Sequence, residues 1–165
     1  GSGIATTLAY VGRYDFLRAD LLAWDQANGH GLGANALGFV AGTAINIEPE
    51  RADGFNIEGL ALAPDNRTAY LAFRAPLLPI SQRGQALIVP VLDFDALVTA
   101  TAPASQPAGT ARFGTPILLD LGGRAIRSLD RNSAVDYVIT AGPPAGARPA
   151  GPAAGAGHRP LQACQ

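Results

Sequence analysis

Short apolar runs separated by Gly, Pro, Asp and Asn dominate the chain from residue 46 to residue 140. Runs rich in Val, Ile, Leu, Phe and Tyr with such boundaries are typical of β-strands. The clearest pair of strands covers residues 57–63 and 68–75, and Pro-Asp-Asn-Arg at 64–67 forms the turn between them. The pattern therefore predicts an all-β fold.

Three later apolar runs, at residues 86–92, 117–121 and 136–140, predict further strands. Pro90 lies inside the first of them, which favours an edge strand or a bulge because proline has no N–H to donate. The runs are almost continuously apolar and do not alternate strictly. This pattern predicts strands that are covered on both faces, as in small stacked sheets.

The N-terminal part of the chain fits two interpretations. Leu17, Leu21 and Trp24 have helical spacing with Asp15 as a cap, but residues 14–24 also fit a long exposed strand. We favour the strand because the rest of the chain is predicted to be β. The glycine-rich segment that follows lacks the flanking residues of a phosphate-binding loop, so we expect a flexible turn there.

An internal repeat connects the two halves of the strand region. Residues 57–60, Ile-Glu-Gly-Leu, align with residues 126–129, Ile-Arg-Ser-Leu, and Tyr70 aligns with Tyr137 at nearly the same offset. Four strands followed by a restart are typical of β-propeller blades, although these units exceed the ~40–50 residues that are common in repeat propellers. We therefore expect a partial β-propeller of about two four-stranded blades.

The chain divides into three regions on this interpretation. Residues 1–45 supply N-terminal strands or a short helix that completes an incomplete blade, and residues 46–142 supply one blade and the start of the next. Residues 143–165, rich in Pro, Gly and Ala, are expected to be a disordered tail, either natural or the product of a frameshift or truncation. The chain contains no Met, and we expect it to be a piece of a longer protein.

The composition excludes several classes of protein. With 48% hydrophobic and 15% charged residues the chain is expected to be globular. A formal charge of −1, with all twelve basic residues Arg and no basic run, argues against nucleic acid as a partner. The sequence contains no stretch of ~20 apolar residues, so no transmembrane helix is predicted. Cys164 is the lone cysteine and there is no leader in this sequence, so the compartment, cytoplasmic or exported, stays open.

Several separated motifs, in order, resemble an uncharacterised bacterial family, domain of unknown function 3616. They lie within residues 46–143, at 56–65, 73–76, 84–88 and 119–129. The resemblance implies a β-propeller with no established activity. Because members of that family are longer, it also implies that part of the ring is missing here. A partial ring of stacked blades exposes its faces, and we expect it to self-associate.

Glu58 is the first candidate functional residue, because a carboxylate within an apolar strand is costly unless it is paired or binds a cation. The resemblance implies that the strand lines a propeller channel. The Glu-Gly pair is also similar to the metal-binding glutamate of gluconolactonase-like and phytase-like propellers, which implies a calcium ligand. The alternative is a structural ion pair, most simply with Arg74.

Arg74 and Arg127 complete the candidate site. The planar guanidinium of Arg74 matches a carboxylate or a phosphate, and Arg127 takes the place of Glu58 in the repeat and is expected to point into the same channel. The mixture of acidic and basic residues predicts binding of a small anionic ligand or a protein partner. Asn46 and Asn56 either contribute oxygens to the site or belong to turns.

Two functional hypotheses follow. The preferred one is an uncharacterised β-propeller module that binds a ligand or partner through Glu58, Arg74 and Arg127. The alternative is a calcium-dependent hydrolase of the lactonase or phytase type, with Glu58 as the metal ligand. A Ser-His-Asp hydrolase is not expected, because no serine lies in a nucleophile elbow and both histidines lie in glycine-rich segments.

Overall fold

Antiparallel sheets with three short helices make up the part of the chain that the computed structural model describes, residues 12–82, 84–99, 106–132 and 136–144. This bears out the expectation that the chain is mostly β. The elements in chain order are α1 (Leu17–Gln26), α2 (Phe39–Gly42), β1 (Asn56–Leu62), β2 (Ala69–Ala75), β3 (Ala86–Leu92), α3 (Phe94–Thr99), β4 (Arg112–Phe113), β5 (Ile117–Leu119), β6 (Ala125–Arg131) and β7 (Tyr137–Gly142).

The strands form two sheets. The larger one has the order β1-β2-β3, and both β4 and β5 pair with the far side of β3, while β6 and β7 form a separate two-stranded sheet. All neighbouring pairs are antiparallel. Each of the five apolar runs from residue 57 onward contains a strand, but the fourth strand is shorter than expected, and the short β4 and helix α3 were not predicted.

The turn predicted between the first two strands is confirmed. Asp65 Oδ1 accepts hydrogen bonds from the backbone N–H groups of Arg67 and Thr68, both at 2.9 Å. Asn66 has a φ of 53°, in the left-handed region that asparagine tolerates. The hydrogen bonds from Thr68 and then Arg67 lower the pKa of Asp65.

The expectation of an edge strand at Pro90 is wrong. β3 is paired along both sides, with β2 on one side and with β4 and β5 on the other. The irregularity lies in its outer partner, where the register shifts between the pairs Ile88–Ile117 and Val91–Phe113. Because Pro90 has no N–H to donate, the outer strand is interrupted opposite it.

The central strands β2 and β3 are buried almost throughout, as their apolar runs predict. Their two faces have different covers. One face packs against the α1–α2 region through Leu21, Leu37 and Phe39. The other packs against β6 and β7 through Ile126 and Leu129. One covering layer is therefore helical, whereas the sequence pattern predicted stacked sheets.

The preference for a strand at residues 14–24 is wrong, because α1 occupies most of that segment. Leu21 is fully buried, and Leu17 and Trp24 pack beside it against the sheet. A strand would have turned alternate residues away from the core, whereas the helix directs all three toward it. Asp15 does not cap the helix and instead forms an ion pair with Arg13 at 3.0 Å.

Residues 145–165, including Cys164, lie outside the described residues, so the tail and the proposed frameshift stay predictions. In the described part of the chain, no helix combines the length and the hydrophobicity needed to cross a bilayer.

Candidate functional site

The pairing of β1 with β2 is irregular around Glu58. The successive pairs are Asn56–Ala75, Ile57–Phe73 and Gly59–Ala72. Glu58 and Arg74 therefore have no partner across the strand pair, while the register is the same on both sides of them. Irregular pairing of this kind can re-aim a side chain.

Arg127 is the extra residue of a β-bulge in strand β6. Ile126 pairs with Ala141, and Ser128 pairs with Thr140, so two residues of β6 advance against one residue of β7. The irregular pairing at Glu58 and the bulge at Arg127 fall at the positions that the internal repeat aligns.

Close packing of β1 on β6 depends on Gly59. A Cβ added to it would lie 2.9 Å from both the Cβ and the backbone nitrogen of Leu129, and 3.0 Å from the Cβ of Ala72. Real Cβ atoms essentially never approach other atoms at less than 3.0 Å. Glycine is needed here because it allows the second sheet to approach the first.

Residues that the repeat aligns also meet across the two sheets. Glu58 Oε2 lies 3.7 Å from Arg127 Nη1. The rings of Tyr70 and Tyr137 contact edge to face, with centroids 5.6 Å apart. Equivalent side chains are thus neighbours in space, and Glu58 and Arg127 lie at one site.

Arg74, in β2 of the larger sheet, is the second basic residue of the site. Its Nη1 donates a hydrogen bond to Glu58 Oε1 at 2.7 Å, which confirms the predicted pairing. The Arg74 side chain is only 10% exposed, and a buried guanidinium is costly without a partner of opposite charge. Its Nε is buried without a hydrogen-bond partner among the described residues.

Glu50 also belongs to the site, although no sequence pattern selected it. Its Oε1 lies 3.2 Å from the same Arg74 Nη1, and its side chain is 57% exposed. It lies in the loop before β1, where an acidic residue would ordinarily be assigned to solvent. We call Glu50, Glu58, Arg74 and Arg127 the ion-pair cluster.

The remaining predicted residues contribute less. Asn56 Nδ2 approaches Glu58 Oε1 at 3.5 Å, the outer limit of a hydrogen bond, and Asn46 is exposed in the loop before β1. Arg131, at the end of β6, donates to the carbonyl of Ala63 at 2.9 Å and so joins β6 to the turn after β1. Arg131 is therefore structural.

Arg127 retains unused binding capacity. Its Nη2 donates to the carbonyl of Pro143 at 2.6 Å, but its Nη1 is too far from Glu58 for a hydrogen bond. The side chain is 29% exposed. A charged donor of the cluster is therefore within reach of solvent.

The cluster contains two arginines and two glutamates, so its formal charges cancel. Calcium takes six to eight oxygen ligands. Among the described residues, no group of three or more His, Cys, Asp and Glu could hold a metal ion. The role of Glu58 as a calcium ligand stays a prediction.

A second buried polar group, Asp25 near the end of helix α1, was not predicted from the sequence. Asp25 is fully buried and accepts hydrogen bonds from the backbone N–H groups of Leu37 and Phe39, both at 3.0 Å. His30 Nε2 lies 3.0 Å from the same carboxylate, and Leu32 N–H donates to His30 Nδ1, so Nε2 carries the proton. The segment expected to be a flexible turn is therefore held by a buried anchor.

An apolar cavity of about 220 Å³ lies between the two sheets, away from the ion-pair cluster along the strands. It is lined by Tyr70, Ile88, Ile117, Leu119, Leu129, Tyr137 and Ile139. Its lining is mostly apolar and offers few polar contacts.

Comparisons with family models, with curated proteins and with solved structures found no match to this chain. The resemblance to domain of unknown function 3616 accordingly stays a prediction.

Proposed function

We propose that this chain is a ligand-binding module whose ion-pair cluster binds a small anion that carries a carboxylate. The observation that carries the proposal is the contact between Glu58 and Arg127, which lie where the strand pairing is irregular and at equivalent positions of the repeat. A charged side chain at each of these positions favours a functional role.

The donors of the cluster suit a carboxylate. Arg74 is held in place by Glu58, so its guanidinium is oriented before a ligand arrives. Arg127 adds a donor that makes no hydrogen bond to Glu58 and is partly exposed. Two guanidinium groups bind a planar anion more strongly than neutral donors do, because both hydrogen bonds are charge-assisted.

The fold proposed for this module is a partial β-propeller. On this proposal the larger sheet is one blade, and β6 and β7 are the inner strands of the next blade. The packing of β1 on β6 supports it, together with the aligned positions of irregular pairing in these strands and the resemblance to domain of unknown function 3616. Inner strands of neighbouring blades would then carry the cluster at one end of a channel.

Calorimetric titration with succinate tests the proposed function. Wild type is expected to bind succinate saturably, and Arg127→Gln is expected to lose about tenfold or more in affinity, since hydrogen bonds to charged groups contribute about 1.5–3 kcal/mol. Arg124→Gln is the matched control, because Arg124 is exposed just before β6. Absence of binding in wild type, or equal loss in both variants, would overturn the proposal.

The calcium-dependent hydrolase is distinguished by a calcium titration of wild type and Glu58→Gln. For Glu58 to bind calcium, its oxygens would have to leave Arg74. The ligand-binding proposal predicts no calcium binding that depends on Glu58. Saturable binding that disappears in Glu58→Gln would favour the hydrolase.

A further inference from the structure

We propose that Glu50 is a built-in competitor, whose carboxylate occupies the place on Arg74 that the carboxylate of the ligand takes. This inference rests on the proposed function, and it adds to it the class of ligand and the way in which access to the site is controlled. The resting cluster would be closed by a side chain of the protein itself.

The geometry of Arg74 separates the two glutamates. Both contact its Nη1, Glu58 at 2.7 Å and Glu50 at 3.2 Å. Two carboxylates on one nitrogen repel each other, and the longer contact is the weaker one. Glu50 is therefore the partner that an incoming anion would displace.

The two glutamates also differ in burial and in attachment. Glu58 is 26% exposed and lies in strand β1, whereas Glu50 is 57% exposed and lies in a loop. Hydrogen bonds from Arg51 N to Glu48 O and from Gly54 N to Arg51 O hold the loop backbone. Only the Glu50 side chain needs to rotate, and an exposed ion pair contributes little to stability.

Arg74 itself is incompletely satisfied. It is nine-tenths buried, and its Nε has no hydrogen-bond partner among the described residues. Glu50 reaches it through a single oxygen contact. A ligand carboxylate that is free to orient can use more than one donor of the planar guanidinium, and this two-point contact gives it an advantage over Glu50.

The displacement also changes the charge of the site. With Glu50 on Arg74 the four charges of the cluster cancel. When Glu50 moves into solvent, Arg74, Arg127 and Glu58 leave one positive charge, which matches the carboxylate that enters. The structure thus favours carboxylates that can compete with a glutamate side chain.

Succinate titration of Glu50→Gln and Glu50→Ala tests this inference, with Glu48→Gln as the matched control. Glu48 is exposed two residues away, and its removal causes the same change in net charge. Both Glu50 variants are expected to bind succinate about two- to fivefold more tightly than wild type, the range that an exposed ion pair allows. Glu48→Gln is expected to bind like wild type.

The outcomes separate the inference from the proposed function. If wild type binds succinate and Arg127→Gln does not, but the Glu50 variants bind no more tightly than wild type, the competitor role is overturned and the site stands. If wild type does not bind succinate, the proposed function is overturned, and the competitor role is overturned with it. Circular dichroism of each variant confirms that the comparison is made between folded proteins.

Discussion

Glu58 and Arg127 lie 69 positions apart in the chain, occupy aligned positions of irregular pairing in β1 and β6, and meet with Oε2 and Nη1 3.7 Å apart. The repeat replaces an acid by a base at this position. The smaller sheet thereby adds Arg127 to the ion pair that Glu58 forms with Arg74 in the larger sheet.

Glu58→Gln is expected to destabilise the chain by about 1–3 kcal/mol, because it leaves the buried Arg74 without its closest charged partner. Urea denaturation measures the change in the free energy of unfolding. Glu48→Gln is the control and is expected to change it by less than about 0.5 kcal/mol. Equal effects of the two substitutions would show that the Glu58–Arg74 pair contributes nothing.

Gly59→Ala is expected to cost about 1–3 kcal/mol, since the added methyl group would overlap Leu129 and push β6 away from β1. Gly84→Ala is the control, because its nearest neighbour would be the Leu78 carbonyl at 3.4 Å. Urea denaturation of both variants makes the comparison. A fully stable Gly59→Ala variant would contradict the close packing of the two sheets.

Asp25→Asn is expected to cost about 2–3 kcal/mol. Whichever way the amide is placed, its NH2 group meets a donor from Leu37, Phe39 or His30 in a buried site. Asp130→Asn, at an exposed position of β6, is the control and is expected to leave stability within about 0.5 kcal/mol of wild type. An Asp25 variant as stable as this control would exclude the anchor role.

Asp65 is expected to make stability depend on pH in the acid range. Its folded pKa is lowered by the N–H groups of Thr68 and Arg67, so the unfolded chain binds its proton more readily. This contribution is complete above the unfolded pKa of 3.8 and is lost as the pH falls through the lower folded value. The stability difference between wild type and Asp65→Asn should therefore shrink as the pH falls below 3.8, as measured by urea denaturation. A stability difference that does not change with pH would contradict this prediction.

The sequence predicted the strands because their signal is local: apolar runs bounded by turn residues. It misassigned helix α1, since ten residues with Leu17, Leu21 and Trp24 on one face fit either element until the sheet that they cover is known. The prediction of an edge strand at Pro90 failed for a related reason, because the missing N–H is accommodated by an interruption of the neighbouring strand.

The site was predictable in part. Glu58 and Arg74 stood out as charges within apolar strands, and the repeat brought in Arg127. Glu50 could not be found, because its contact with Arg74 depends on the path of a loop. The irregular pairing at Glu58 and the bulge at Arg127 were equally hidden, since neither leaves a mark on the sequence pattern.

The most direct test of the ligand-binding proposal is a crystal structure of the chain grown with succinate. The account predicts a carboxylate of succinate within about 2.7–3.2 Å of guanidinium nitrogens of both Arg74 and Arg127. Succinate bound elsewhere, or a cluster that stays unchanged at saturating succinate, would contradict the account and leave these residues as a structural link between the two sheets.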